Sequence, residues 1–341
     1  MMERTDTMVK VRPAFGQRLR RVVPFLVSAG CVGLLLLLFW SRIPDVVRAL
    51  GAADPTILVL AGGAYLLSIW ALSARLSVIF RAFGIREALF RFFLFTIVGV
   101  FFNSFLPTAF GGDVVKASYA AGRTNRFGEA ILATLVDRAI GLIGVLLVGS
   151  LGLSFYPAIQ VATPVRWLPM VALLVLAVLM VACRVEHWVR WALGWLERVP
   201  VIKRPELMGP IRATLDLLGA PPVLALAIGL TLASVTLSSL SLMAAARALG
   251  VNSSFTTFLL LMPVFTLASM LPSINSIGVR EATFVIILRG MVPEEKALAL
   301  SLVFYGLGMA CGGIGGVVFV LRKQLKLDLN SAVTSRLMGH S

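Results

Sequence analysis

Six ionisable residues stand inside or beside long apolar stretches of this chain: Asp113, Lys116, Asp137, Arg138, Arg280 and Glu281. An ionised side chain at mid-bilayer depth costs roughly 2.5–3.5 kcal/mol on insertion scales, so each needs a partner or a wet cavity. The chemistry open to such a set is the holding of an anion, and a lipid phosphate is the anion a membrane supplies. Arg138, Arg280 and Lys116 would meet the phosphate, while Asp113, Asp137 and Glu281 balance the excess charge. Two of the groups follow interruptions in the apolar pattern. Leu106-Pro107-Thr108-Ala109-Phe110-Gly111-Gly112 precedes Asp113, and Leu271-Pro272-Ser273-Ile274-Asn275-Ser276-Ile277-Gly278 precedes Arg280-Glu281. Proline removes a backbone donor and clashes with the preceding turn, so Pro107, Gly111 and Gly112, and then Pro272 and Gly278, are expected to break a helix. A helix restarting after each break would aim free N–H groups at the same anion. Structural roles compete with this reading. Asp113 suits an N-cap after Gly112, Glu281 suits a first helical turn, and Arg138 has the length to snorkel to the interface.

The elements that must carry these residues are membrane helices. Of the 341 residues, 59% are hydrophobic and 14% charged, and the mean hydropathy is +0.94. A soluble domain is nearer half apolar and a quarter charged. Eight apolar segments lie at about 22–40, 56–74, 90–111, 130–153, 167–183, 222–246, 255–290 and 297–321. Most match the roughly 17–25 residues that cross a bilayer core. The formal charge of +15 would suggest nucleic acid in a soluble protein. Here the basic residues border apolar blocks and read as topology signals and contacts to anionic lipid heads.

Charge placement decides the threading. If the third and seventh segments are hairpins that leave on the side they entered, six full spans remain. The stretches 113–128 and 184–221 then join the basic N-terminus on the cytoplasmic side, with Arg75 to Arg91 counted there as a loop. The expected fold is an all-α membrane protein with six full transmembrane helices and two broken, re-entrant hairpins. Repeat one covers about 22–153 and repeat two about 167–321. Each contains three full crossings, so the second is inverted relative to the first, the pattern of a secondary-transporter site. Residues 1–21 form a basic cytoplasmic tail, 184–221 an amphipathic cytoplasmic linker and 322–341 a second cytoplasmic tail. The run from Val22 to Trp40 is long for a signal-peptide core and is expected to stay as the first helix.

Other chemistry finds little footing. The sequence has no G-x-x-x-x-G-K-[ST] phosphate loop, no G-x-S-x-G elbow and no histidine-based metal motif. No cofactor, metal or catalytic residue is therefore expected, and the chain is read as a non-enzyme. Cys31, Cys183 and Cys311 lie singly in apolar blocks and read as packing residues. Gly308, Gly312 and Gly316 make a small-residue face for close helix packing.

Three motifs together resemble a known family. Leu106 to Ala117 is similar to the first signature of the lysylphosphatidylglycerol synthase transmembrane-region family, also described as flippase-like. Asp137-Arg138-Ala139-Ile140-Gly141-Leu142 resembles its acidic-Arg-x-x-Gly-Leu element, and Leu271 to Glu281 its second signature. The order is the family's, and the likeness covers about residues 20–325. Ser276 stands where a glycine is often seen. The resemblance implies movement of lipids between leaflets, in members associated with aminoacyl-lipid, glycolipid, polyprenyl-lipid or hopanoid pathways. The aminoacyl-transferase domain of two-part members is expected to be absent, and lysyl transfer with it.

The resulting expectation is a flippase- or scramblase-like transporter in the cell (plasma or inner) membrane, with both termini cytoplasmic. It would move an anionic or polyprenyl-phosphate-linked lipid without ATP. Its partners would be membrane lipids and, by the resemblance, lipid- or glycolipid-synthesis enzymes. Nucleic acid is not among them, and a homo-oligomer is compatible with this reading. Two rivals are kept: a membrane transferase using a lipid-phosphate donor through Asp45 or Asp54, and a scaffold of a lipid-synthesis complex.

Overall fold

A computed structural model of the chain describes residues 43–105, 111–122, 126–155, 174, 213–214, 216–217, 219–268, 279–289 and 292–321. The expected span at 22–40, nearly all of that at 167–183, most of the linker 184–221, both tails, and Pro107, Pro272 and Gly278 lie outside the described residues. Among the described residues there are nine helices and no strand. In order they are α1 (Ile43–Gly51), α2 (Pro55–Ala82), α3 (Leu89–Phe105), α4 (Gly111–Ala121), α5 (Phe127–Phe155), α6 (Pro221–Ala248), α7 (Phe255–Ala268), α8 (Val279–Leu288) and α9 (Glu294–Val320).

Helices α2, α5, α6 and α9 contain the 4 candidate spans that are long and apolar enough to cross a bilayer. Val59, Leu60 and Leu67 on α2, with Leu226 on α6, are exposed. In water such a set would be a liability; against acyl chains it is the expected outer surface. Helices α3 and α7 have 17 and 14 residues. At 1.5 Å per residue these described lengths are about 25 and 21 Å. Each is followed by a short helix, α4 or α8.

The two long helices α2 and α6 are built alike. Pro55 and Pro221 open them, Ala82 and Ala248 close them, and each pair stands 166 positions apart, as do Ser68 and Ser234. Proline at the first helical position loses no bond, because that N–H has no acceptor in the helix. Asp54 caps α2, its Oδ1 accepting from the N–H of Thr56 at 2.8 Å and of Ile57 at 3.3 Å. Both helices end on a glycine with positive φ, Gly84 at 77° and Gly250 at 67°. The next N–H then folds back: Ile85 donates to the Phe80 carbonyl and Val251 to the Ala246 carbonyl, each at 2.9 Å. This is a Schellman ending, and glycine takes the left-handed step without a Cβ clash. The same offset carries Leu89, the first residue of α3, onto Phe255, the first of α7.

These two helices run antiparallel and form the most extensive helix pair of the described structure. Asp54 N–H donates to the Ala248 carbonyl at 3.0 Å. Ser241 Oγ donates to the Ala61 carbonyl at 2.7 Å, and Ser234 Oγ to the Ser68 carbonyl at 3.1 Å. The contacts recur at heptad spacing, so one face of each helix stays against the other. Helix α3 packs on α9, and α7 packs on α5. On α9, a Cβ at Gly315 would overlap the Ile97 carbonyl, and one at Gly316 would come within 2.7 Å of the Phe101 ring. The small-residue face of α9 thus serves close approach to α3, with Gly312 and Gly315 at its centre; Gly308 instead abuts Tyr65 of α2.

One sequence expectation changes. The apolar block 56–74 ends before the helix does: α2 continues to Ala82, so Arg75 is a buried residue of a membrane helix, not the start of a cytoplasmic loop. The stretch 41–55, left between the first two apolar segments, contains α1, whose Val46 is buried in the apolar cluster with Ala61, Phe258 and Phe284.

Candidate functional site

The consecutive residues Asp137 and Arg138 lie about 100° apart around α5 and so face different neighbours. Asp137 meets Arg75. Arg75 Nε donates to Asp137 Oδ1 at 2.7 Å and Nη2 to Oδ2 at 3.0 Å, a two-pronged fork. The third nitrogen, Nη1, donates to Thr231 Oγ1 of α6 at 3.1 Å. Both charged partners are buried. A fork of this kind satisfies both carboxylate oxygens and is the geometry arginine favours for a desolvated pair.

Glycines on the same face of α5 make room for it. Gly141 follows Asp137 by about one turn, and a Cβ there would lie 2.8 Å from Arg75 Nη1. A Cβ at Gly144 would overlap the Thr231 side chain. Asp137, Gly141 and Gly144 therefore form a stripe that receives Arg75 from α2 and Thr231 from α6. The acidic-Arg-x-x-Gly spacing noted in the sequence has this steric reason.

Arg138 meets the start of α4. Its Nε donates to Asp113 Oδ2, and Lys116 Nζ pairs with Asp113 Oδ1 at 2.6 Å. Asp113 sits in the first turn of α4, where a carboxylate opposes the positive helix end. One N–H at that end without an acceptor in the helix is that of Gly112, and it donates to Asn103 Oδ1 at 2.7 Å. A Cβ at Gly112 would overlap the Gly99 carbonyl, so glycine is what lets α4 lie against α3. Two cations around one carboxylate leave this cluster net positive.

Arg280 begins α8, and its guanidinium carbon lies 4.9 Å from the centroid of the Tyr305 ring on α9. Glu281 is buried beside it in the first turn. With the register advanced by one residue beyond the offset linking α2 to α6, Asp113 falls on Arg280 and Arg138 on Tyr305. The contact of α4 with α5 and the contact of α8 with α9 thus occupy matched positions with different chemistry.

Two cavities adjoin these contacts. One, of about 370 Å³, is lined by Arg280 and Tyr305 together with Tyr65, Asn103, Ser104 and Phe265, among others. The second, of about 310 Å³, is lined by Arg138, Arg75, Gly141 and Thr231, among others. Ser238, Met262 and Thr266 line both.

The six residues singled out in the sequence therefore divide. Arg280 lines one cavity and Arg138 the other; Asp113, Lys116, Asp137 and Glu281 do not appear on the described walls of either. Of the suspected breaks, Gly111 and Gly112 open α4, Asn103 reaching Gly112. Arg75, Asn103, Tyr65 and Tyr305 were not picked out from the sequence. Arg75 had a legible signal, since Pro55 opens a helix and nothing before Gly84 stops it. Asp45 and Asp54, the carboxylates of the transferase reading, have structural partners: Asp45 pairs with Arg48, and Asp54 caps α2. Among the described residues no three His, Cys, Asp or Glu side chains converge as a metal site would require.

No curated protein matches the chain. The family model described as the lysylphosphatidylglycerol synthase TM region matches residues 22–333, a span that contains α1 to α9 and every residue of the two clusters. The chain is a membrane protein with several apolar helices and belongs to the lysylphosphatidylglycerol synthase TM-region family.

Proposed function

We propose that this protein moves a phosphate-bearing lipid between leaflets, without ATP and without chemical turnover of the lipid. The observation that carries the reading is the pair of adjoining cavities. Each holds an arginine, Arg280 in one and Arg138 in the other, and Ser238, Met262 and Thr266 line both. An anionic head group gains from a guanidinium in either cavity, while the exposed apolar helix faces suit its chains. The site is read as lying in a cell (plasma or inner) membrane, with both termini cytoplasmic.

The architecture we propose is an inverted repeat with two re-entrant hairpins, α3–α4 and α7–α8. The matched bounds and endings of α2 and α6 support it, as does their antiparallel contact. Ser68 and Ser234, equivalent under the repeat, touch each other, as residues on a two-fold axis must. Helices related in this way open a midplane site to alternate faces by rocking one half against the other. The repeat has a direct test. Arg86 and Asn252 are equivalent positions just after the two glycine endings. A cysteine at Arg86 is expected to react with an impermeant reagent from the cytoplasm only, and one at Asn252 from outside only. Labelling of both from the same side would reject the inversion.

For the activity itself, the purified protein is placed in vesicles with labelled lipid, with and without nucleotide, and the lipid is recovered for analysis. Movement of unaltered lipid in the absence of nucleotide is expected. A modified lipid product would favour a transferase, and neither movement nor product would favour a scaffold.

A further inference from the structure

We infer that the cavity at Arg280 takes the phosphate ester of an uncharged polyol, such as a glycerol or sugar head group, and rejects head groups that carry an amine. The inference rests on the lipid-transport reading and narrows its substrate class. Arg280 is the one charged side chain among the described residues lining this cavity. Its fork-shaped donor set fits a phosphate. The remaining polar wall is uncharged and mixed in sense. Asn103 commits its amide oxygen to the Gly112 N–H at 2.7 Å, which leaves its NH2 to donate. Ser104 Oγ donates to the Val100 carbonyl at 3.1 Å, which leaves that hydroxyl its lone pairs to accept. Donors and acceptors interleaved without charge are what ligand hydroxyls need, since each hydroxyl both gives and accepts. The aromatic walls suit the C–H faces of a polyol.

An ammonium finds the opposite. No carboxylate is among the described lining residues of either cavity. The two nearby aspartates are engaged: both oxygens of Asp137 by Arg75, and both of Asp113 by Lys116 and Arg138. The face of Tyr305, which could hold a cation, already lies beneath Arg280. A second positive charge would sit beside Arg280 in a poorly screened site, and like charges so placed discriminate strongly. The lysyl ester of phosphatidylglycerol, the lipid in the family's name, is by this chemistry a poor occupant.

The test uses three lipids that all carry a phosphate: phosphatidylglycerol, its lysyl ester and phosphatidylethanolamine. Each competes with fluorescent phosphatidylglycerol for the purified full chain in micelles of a neutral detergent. Both amine-bearing lipids are expected to compete at least about tenfold more weakly, a difference well inside what one repelled charge produces. Competition as strong as that of phosphatidylglycerol, or stronger, overturns the inference. Asn103→Asp retains an oxygen for the Gly112 N–H while adding a carboxylate, and it is expected to narrow or reverse the preference. If that variant does not accumulate, the wild-type competition alone decides. Movement of the same lipids, measured in phosphatidylcholine vesicles, separates the two readings. Selective binding without movement keeps the head-group inference and removes transport. Movement of all three at equal rates keeps transport and removes the inference. Binding of none removes both.

Discussion

Asp137→Ala is expected to lower the unfolding free energy of the purified protein by about 3–5 kcal/mol, the penalty for stranding one member of a buried ion pair. Arg75 would keep its bond to Thr231 Oγ1, but two of its nitrogens would lose both carboxylate oxygens. Within a bilayer the lone guanidinium also faces the insertion cost of an uncompensated charge. Arg75→Met should be similarly harmful, because it leaves the buried Asp137 carboxyl without its partner. Replacing both together, with Arg75→Met and Asp137→Leu, should restore most of the loss, since apolar pairs of similar volume are often as stable as the ion pair they replace. Denaturant or thermal unfolding in detergent reads all three variants. Equal losses for the single and double variants would show that the pair is not the source of the cost.

Arg138→Gln and Arg280→Gln should behave differently, leaving the protein folded and stopping its work. When Arg138 is lost, Asp113 still has Lys116 at 2.6 Å. When Arg280 is lost, the uncharged Tyr305 ring loses a stacking partner. What disappears in each case is a charged hydrogen-bond donor to the head group, worth about 1.5–3 kcal/mol, so lipid movement should slow by about 10- to 150-fold. Vesicle transport, normalised to the folded protein recovered, measures it. Variants that fail to accumulate in the membrane would make the two arginines structural.

How far these sites could be read from the sequence follows from what local pattern can carry. The long spans were legible because an apolar block announces its own length. Asp137 and Arg138 were legible because two charges inside such a block are costly enough to demand a reason. Arg75 was missed for the same physical cause working in reverse. A charge at the edge of an apolar block reads as the end of the span, and the carboxylate that lets the helix continue is 62 positions away. The grouping of the six residues around one anion did not anticipate the pairing. Residues consecutive in sequence point different ways on a helix, so Asp137 is drawn to α2 while Arg138 reaches α4. Asn103, Tyr65 and Tyr305 carry no net charge and vanish in apolar surroundings; only the approach of three separate helices makes them walls of one cavity. The glycines lie between these cases. Their spacing announced close packing on α9, but that Gly141 and Gly144 clear space for Arg75 and Thr231 is visible only once those partners are placed.

The measurement that bears most directly on the central claim compares two lipids in otherwise identical vesicles, without nucleotide. One labelled lipid carries an anionic phosphate, and the other has an uncharged head and the same chains. With Arg138 and Arg280 in two cavities that share Ser238, Met262 and Thr266, the phosphate-bearing lipid should cross at least about tenfold faster. Equal rates, or movement only when ATP is present, would contradict the account.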